Sequence, residues 1–241
     1  MTDLQDIAIA AHGDIERWRS YDRLTARVIN GGALWEIKGQ GDVLGHYTAS
    51  IELHRQFASH TPFGGEGLRS HFTPERVAVE TTEGVVVQER INPRGAFAGH
   101  VLDTPWDRLH AAYFTGYAMW NYLTEPFSFT EPGFEFAELE PWQEDGETWR
   151  RLQVTFPEHL VTHTRVQTYY IDDRGLIRRH DYHPDVLGPS DRDSAHYSWD
   201  HKEFDGFVFP TKRSVHLTDE NGRKVPEPVV VSIELDDIAL S

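Results

Sequence analysis

The sequence predicts an α+β domain, mainly β, laid out as an antiparallel meander. Three observations carry that prediction. Apolar and polar residues alternate with period two along most of the chain, Gly- and Asp-containing turns recur at short intervals, and one long helical stretch interrupts the strands. No repeat, low-complexity tract or linker breaks residues 1–241, so one domain is expected.

The elements follow in order. "DLQDIAIAAHG" predicts a short amphipathic helix stopped by Gly13. Leu24, Ala26 and Val28 alternate with Thr25 and Arg27 in a strand, and Asn30-Gly31-Gly32 predicts a hairpin turn into a second strand, "ALWEIK". In "GHYTASIELHRQF", Tyr47, Ala49, Ile51, Leu53 and Phe57 share one face. "RVAVETTEGVVVQER" reads as a hairpin turning near Glu83-Gly84. "DTPWDRLHAAYFTGYAMWNYLTEPF" predicts the long helix, with Thr104 as N-cap, Pro105 at its first position and Pro126 at its end. Its aromatic residues point all round, which marks a helix buried by its neighbours. Six strands then return, "ETWRRLQVTF", "HLVTHTRVQTYYID", "GLIRRHDYH", "SAHYSWDHKEF", "FVFPTKRSVHL" and "PVVVSIELDDI".

Composition narrows the function. The chain is 39% apolar and carries 13 Phe, 9 Tyr and 7 Trp, enough for a deep aromatic interior. A formal net charge of −16 argues against nucleic acid and against anionic membrane surfaces, both of which select clustered Lys and Arg. With no cysteine, disulfides, thiolate nucleophiles and sulfur-ligated metals are excluded. The first residues are acidic where a signal peptide is basic, and no stretch approaches the roughly 20 apolar residues of a membrane span. A cytoplasmic protein without membrane insertion is the expectation.

The run "GLIRRHDYHPD" must divide charged and aromatic groups between two strand faces. Pairing Ile171 with Leu176 across the Asp172–Gly175 turn sets Tyr169 beside Arg178, Gln167 beside His180 and Arg165 beside Tyr182. A hairpin across Gly188-Pro189 then sets Tyr182 against Tyr197, His180 against Trp199 and Arg178 near His201. One face therefore carries His163, Arg165, Gln167, Tyr169, Arg178, His180, Tyr182, Tyr197, Trp199 and His201, a mixture suited to a wet concave pocket. The other carries Thr162, Thr164, Thr168, Arg179, Asp181, His183, His196, Ser198, Asp200 and Lys202, which reads as a solvated convex surface.

The same region, Tyr169–Tyr182 and Ala195–Leu217, resembles the lipoprotein-carrier-like half-barrel proteins, the LolA/LppX-like superfamily. An acidic-Gly turn runs into Leu and basic residues at Asp172 to Arg178, a Tyr-bearing strand follows at His196 to Trp199, then Phe204-Asp205-Gly206 and Pro210-Thr211. The match covers about a quarter of the chain. The resemblance implies a curled antiparallel sheet, an incomplete β-barrel, around a cavity for acyl chains or another hydrophobic molecule, with a mid-chain helix plugging the cup. Departures are the missing export signal, the missing lipid-attachment cysteine and the polar residues on the proposed concave face.

Chemistry follows from residue types. His159 and His163 are four apart on an extended strand, about 13 Å, too far to share an ion, and His180 and His183 fall on opposite faces. No Gly-x-Ser-x-Gly elbow and no phosphate loop is present. No metal or cofactor is therefore expected. His180, Tyr182, His163, Arg165 and Tyr197 are the candidates for acid–base chemistry. Gln167, Tyr169, Arg178, Trp199 and His201, with Trp120, Tyr117 and Tyr113 from the helix, are the candidate ligand-lining residues. The expectation is a monomer or homodimer that binds a small hydrophobic molecule with a polar head. Either it catalyses a cofactor-free cyclisation, dehydration, isomerisation or hydrolysis, or it is a non-catalytic carrier.

Overall fold

In the computed structural model, which describes residues 3–241, thirteen strands form one antiparallel sheet whose two edges do not meet. Helices α1 (Asp3–His12) and α2 (Ile15–Trp18) precede β1 (Arg23–Gly31), α3 (Ala33–Ile37) and β2 (His46–Glu52). β3 (Ala58–Thr61), β4 (Leu68–Phe72), β5 (Arg76–Thr81) and β6 (Val86–Ile91) continue outward to one edge. The long helix α4 (Arg108–Thr124) carries the chain to the other edge. From there β7 (Glu135–Glu144), β8 (Glu147–Thr155), β9 (Val166–Ile171), β10 (Ile177–Tyr182), β11 (Ser194–Phe204), β12 (Phe207–Leu217) and β13 (Val231–Leu240) step back until β13 pairs with β1. The sheet is thus an incomplete barrel, as the resemblance implied.

The barrel encloses α4. Every residue from Leu109 to Thr124 is buried, against strands of both halves. On the β1–β2 side the predicted faces hold: Leu24, Ala26, Val28, Tyr47, Ala49 and Ile51 all point into the core. α1 packs on the second half, where Leu4 and Ala8 join Phe129, Leu152, Tyr169 and Ile177.

β3, β4 and β7 have no counterpart in the sequence reading, β9 begins at Val166 rather than His159, and two predicted elements take another form. α4 starts at Asp107, not Thr104: the Asp107 carboxylate accepts from His110 N–H at 2.9 Å, and the Asp107 N–H meets His110 Nδ1 at 3.2 Å. Residues 101–106 are committed elsewhere. Buried Lys38 donates to the carbonyls of Val101, Leu102 and Thr104, while the Lys38 carbonyl accepts from Trp106 N–H. The second difference is "ALWEIK", which forms helix α3. Its first N–H groups, on Ala33 and Leu34, donate to the carbonyls of Val229 and Val230, and Trp35 Nε1 donates to Asn30 Oδ1 at 2.9 Å. A five-residue apolar segment fits either period, and these tertiary partners decide it.

Close approach of α4 to β4 depends on Gly116. A Cβ there would sit 2.4 Å from both Cβ and Cγ of Phe72, atoms too near that residue's backbone to swing aside. On an exposed helix Gly→Ala gains about 1 kcal/mol. Here overpacking reverses the sign, and Gly116→Ala should lose about 1–3 kcal/mol of stability, measured from urea unfolding midpoints. An unchanged or higher midpoint would show that α4 does not lie this close to the sheet.

Candidate functional site

The interior site is set by the register of β9, β10 and β11. Tyr169 stands opposite His180 and Tyr170 opposite Arg179, two residues away from the pairing predicted through Ile171 and Leu176, with an irregularity at Arg178. A shift of two preserves faces, so Gln167, Tyr169, His180 and Tyr182 point inward and are buried, as expected. Between β10 and β11 the offset is odd. His180 faces His196 and Arg179 faces Tyr197. His196 and Ser198 therefore turn inward, and Tyr197 and Trp199 outward, the reverse of the prediction. The connection is more than a turn: a 3-10 segment, Asp185–Leu187, is held by Asp185 N–H on the His163 carbonyl and by His183 Nε2, 2.6 Å from the Gly188 oxygen.

Four predicted site residues fall outside: Tyr197 and Trp199 through this offset, Arg178 at the β9–β10 irregularity, and Arg165 ahead of β9. Trp199 is 39% exposed. Arg165 lies at the surface, paired with Glu158 at 3.0 Å. Arg178 lies over the Trp149 ring and reaches Glu147 and Asp172. Tyr197 belongs to a buried ionic cluster on the convex side, donating to Glu144 at 2.5 Å. The convex face is thus not simply solvated. Arg179 is fully buried there, bonded to Glu144, Asp181, Tyr197 and the Gly222 carbonyl. Three further candidates are inside but apart from the central cluster. His201 contacts the Ile177 carbonyl at 3.1 Å beside His12, Trp120 donates to the Glu52 carbonyl at 2.8 Å, and Tyr113 packs on Phe72 and Phe97.

What the fold does bring together is a hydrogen-bonded chain through the middle of the barrel. Tyr117 Oη is 3.3 Å from His163 Nδ1, and His163 Nε2 is 2.7 Å from Tyr122 Oη. Tyr122 Oη is 2.7 Å from Tyr182 Oη, which is 3.3 Å from His196 Nδ1. The His163 and Tyr182 rings stack, 4.1 Å apart and 4° from parallel. Beside this chain, Gln167 Nε2 donates to Thr162 Oγ1 and the Thr164 carbonyl, which leaves its oxygen for His180 Nε2. His180 must then carry its proton on Nε2, and Nδ1 is a bare acceptor, 4.0 Å from Glu125 Oε2. Tyr169 donates to the other Glu125 oxygen at 2.7 Å and stacks on His180.

Tyr122, Glu125, His196 and Arg213 complete the site and were missed as functional residues. A signal for Arg213 exists: Phe207, Phe209, Thr211, Arg213 and Val215 share parity, so one arginine sits on an otherwise core-facing row. Its guanidinium lies over the Tyr122 ring and donates to the Tyr122 carbonyl at 2.8 Å and to Ser198 Oγ at 3.3 Å. His196 has no such signal, because its face depends on the length of the preceding loop.

The hollow itself is narrow. An apolar cleft runs between α4, α3 and β12–β13, lined by Trp35, Phe114, Met119, Leu187 and Val231 among others, with Asn30, Thr115, Tyr122, Tyr182 and Ser194 as its polar lining. It holds about 470 Å³ of atom-free space, part of it open to solvent, but a water-sized sphere can centre in only about 30 Å³ of it. The interior is therefore more tightly filled than the sequence reading expected.

Burial controls the charges. Desolvation holds His163, His180 and His196 well below the usual histidine range and pushes His12 and His201 down to about 4 and His60 to about 3. Burial raises the Glu125 carboxyl to about 7, opposed by the Tyr169 hydrogen bond and by Arg213.

No protein-family model and no curated relative matches the chain. Among solved structures it is similar to a DUF1329 family protein from Desulfovibrio piger, with 11% identity and a TM-score of 0.57 over 99% of this chain and 92% of that one. It is also similar to a protein described as an outer membrane lipoprotein-sorting protein domain, from Vibrio parahaemolyticus, with 10% identity and a TM-score of 0.51 over 99% and 91%. A LolA superfamily protein from Nitrosomonas europaea aligns at 11% identity and a TM-score of 0.49 over 92% and 86%. At these identities the likeness is one of fold, and the fold is the lipoprotein-carrier-like half-barrel that the Tyr169–Leu217 region resembles.

The shifted groups predict opposing pH dependences. Each lowered histidine takes up its proton more readily unfolded, so stability falls as pH drops from about 6.5 toward 4. Glu125, raised in the folded state, contributes stability below its unfolded range near 4.5 and loses it as pH rises to about 7. Six buried histidines outweigh one carboxyl, so urea midpoints should fall from pH 7 to pH 5. Glu125→Gln should gain stability relative to the native protein as pH rises from 5 to 8. A pH-independent difference between the two proteins would mean that Glu125 is not held protonated.

Proposed function

We propose that the protein binds a small, largely apolar molecule with a polar end in the cleft between α4 and β12–β13, without altering it chemically. The observation that carries this reading is the cleft's composition. Aliphatic and aromatic side chains form most of its lining, and a few polar groups, among them the paired hydroxyls of Tyr122 and Tyr182, complete it. Met119 is unbranched and adaptable, and Pro184 and Leu187 belong to the long connection at the mouth, so the narrow space widens with side-chain and loop movement rather than refolding.

Turnover has weaker support from the same residues. The acid–base candidates His163 and His180 are held neutral with conjugate acids far too strong for a general base near pH 7, and Arg165 and Tyr197 are outside the cluster. Fold likeness to a lipoprotein-sorting domain agrees with a carrier, though it does not name a cargo. A cytoplasmic location and a monomer or homodimer remain part of the proposal.

The test is titration with the neutral fluorescent probe N-phenyl-1-naphthylamine. Saturable binding at one site per chain is expected. Leu187→Trp, which fills the mouth from a partly exposed position, should weaken it at least about tenfold, or about 1.4 kcal/mol. Absence of saturable binding, or binding indifferent to Leu187→Trp, would remove the cleft as the site.

A further inference from the structure

Arg213 is a buried cation with unused hydrogen-bonding capacity. It is 6% exposed, and no carboxylate oxygen lies within 4.0 Å among the described residues. A guanidinium has five N–H donors. Arg213 spends one on the Tyr122 carbonyl and one on Ser198 Oγ, and its Nε–H has no partner. Burying a charge in that condition is costly unless something pairs with it.

The position of Arg213 connects it to the cleft. Ser194 and Val215 line the cleft. Along β11 the same face continues from Ser194 to His196 and Ser198, and along β12 from Val215 to Arg213, with Ser198 and Arg213 directly paired. The Tyr122 ring lines the cleft and also packs against the guanidinium, 5.2 Å from the ring centre. Tyr122 and Tyr182 pair through their hydroxyls, and His196 adds a second unpartnered buried nitrogen, Nε2.

We propose that the molecule held in the cleft carries a carboxylate head, which Arg213 receives. Nε–H and a neighbouring Nη–H form a two-pronged donor that matches two carboxylate oxygens, and a charge-assisted bond of that kind is about twice as strong as a neutral one. The Tyr122 and Tyr182 hydroxyls bound the path along which the head passes. This assignment rests on the cleft being the binding site.

Three probes of one chain length test it by displacement of N-phenyl-1-naphthylamine: dodecanoate, dodecanol and dodecyl phosphate. The native protein should bind dodecanoate at least about tenfold more tightly than dodecanol, and at least as tightly as dodecyl phosphate. Arg213→Gln should bring the dodecanoate-to-dodecanol ratio to about one, and Arg213→Lys should keep most of it. If Arg213→Gln does not fold, the native ratio and the Arg213→Lys ratio still decide. Equal binding of acid and alcohol by the native protein overturns the carboxylate head while leaving the cleft intact. Tighter binding of the phosphate overturns it in favour of a phosphate head. Failure of all three to displace the probe overturns the cleft reading with it.

Discussion

An open sheet of thirteen strands has to cover its concave face, and here one helix does so. α4 is mostly aromatic or small, with Leu109, Met119 and Leu123 among the rest, and is buried at every position from Leu109 to Thr124. An amphipathic helix would suffice for a flat sheet; a helix inside a curled one meets protein on all sides and has no polar face to spend on water. The same helix links the two edges: the chain leaves the sheet at β6 and rejoins it at β7. Curl and helix therefore form one constraint: the segment that joins the two edges is also the one that covers the concave face.

That constraint explains where polar groups can be tolerated. Tyrosine and histidine present a large apolar body and one or two polar atoms, so they can fill a core and still need partners. Around α4 those partners are largely one another: Tyr117, His163, Tyr122, Tyr182 and His196 are hydrogen-bonded in sequence, and Gln167, His180, Tyr169 and Glu125 form a parallel group, with His196 Nε2 and His180 Nδ1 left unpaired. Each member is neutral or close to it, which keeps the desolvation cost to that of hydrogen-bonding groups rather than of ions. Arg213 is the exception. The convex-side Arg179 shows the contrast, since it is equally buried yet bonded to Glu144 and Asp181.

Faces were legible in the sequence wherever pairing errors were even, and illegible where they were odd. β1 and β2 bury the residues that alternation assigned, and in β9 and β10 the two-residue error left Tyr169 and His180 inside, although the irregularity at Arg178 turned that residue outward and Arg179, assigned to solvent, is buried on the convex side. One odd offset, across the eleven residues between Tyr182 and Ser194, exchanged Tyr197 and Trp199 for His196 and Ser198. No local pattern reports the length of a loop that carries its own 3-10 segment and borrows the His163 carbonyl. Helix termini failed for a related reason. Thr104 and Asp107 are both good caps, and a distant residue, Lys38, decides between them by occupying the backbone of Val101 to Thr104.

The narrowness of the cleft bears on how such a protein holds a ligand. With only about 30 Å³ in which a water-sized sphere can centre, an apolar guest must push side chains apart before it gains contact with them. A rigid, empty, dry cavity of ligand size forfeits the dispersion contacts of its lining, and a domain already near marginal stability is poorer for it. A collapsed cleft keeps those contacts between Met119, Leu187, Phe114 and Val231 when no guest is present, and exchanges them for contacts with the guest when one arrives. The apolar contribution to binding is then a difference between two packed states and is small. Selectivity in such a site rests on groups that have no partner until the guest supplies one. Under the proposed reading, the apolar lining would admit many molecules, and the unpaired nitrogens of Arg213 and His196 would discriminate among them.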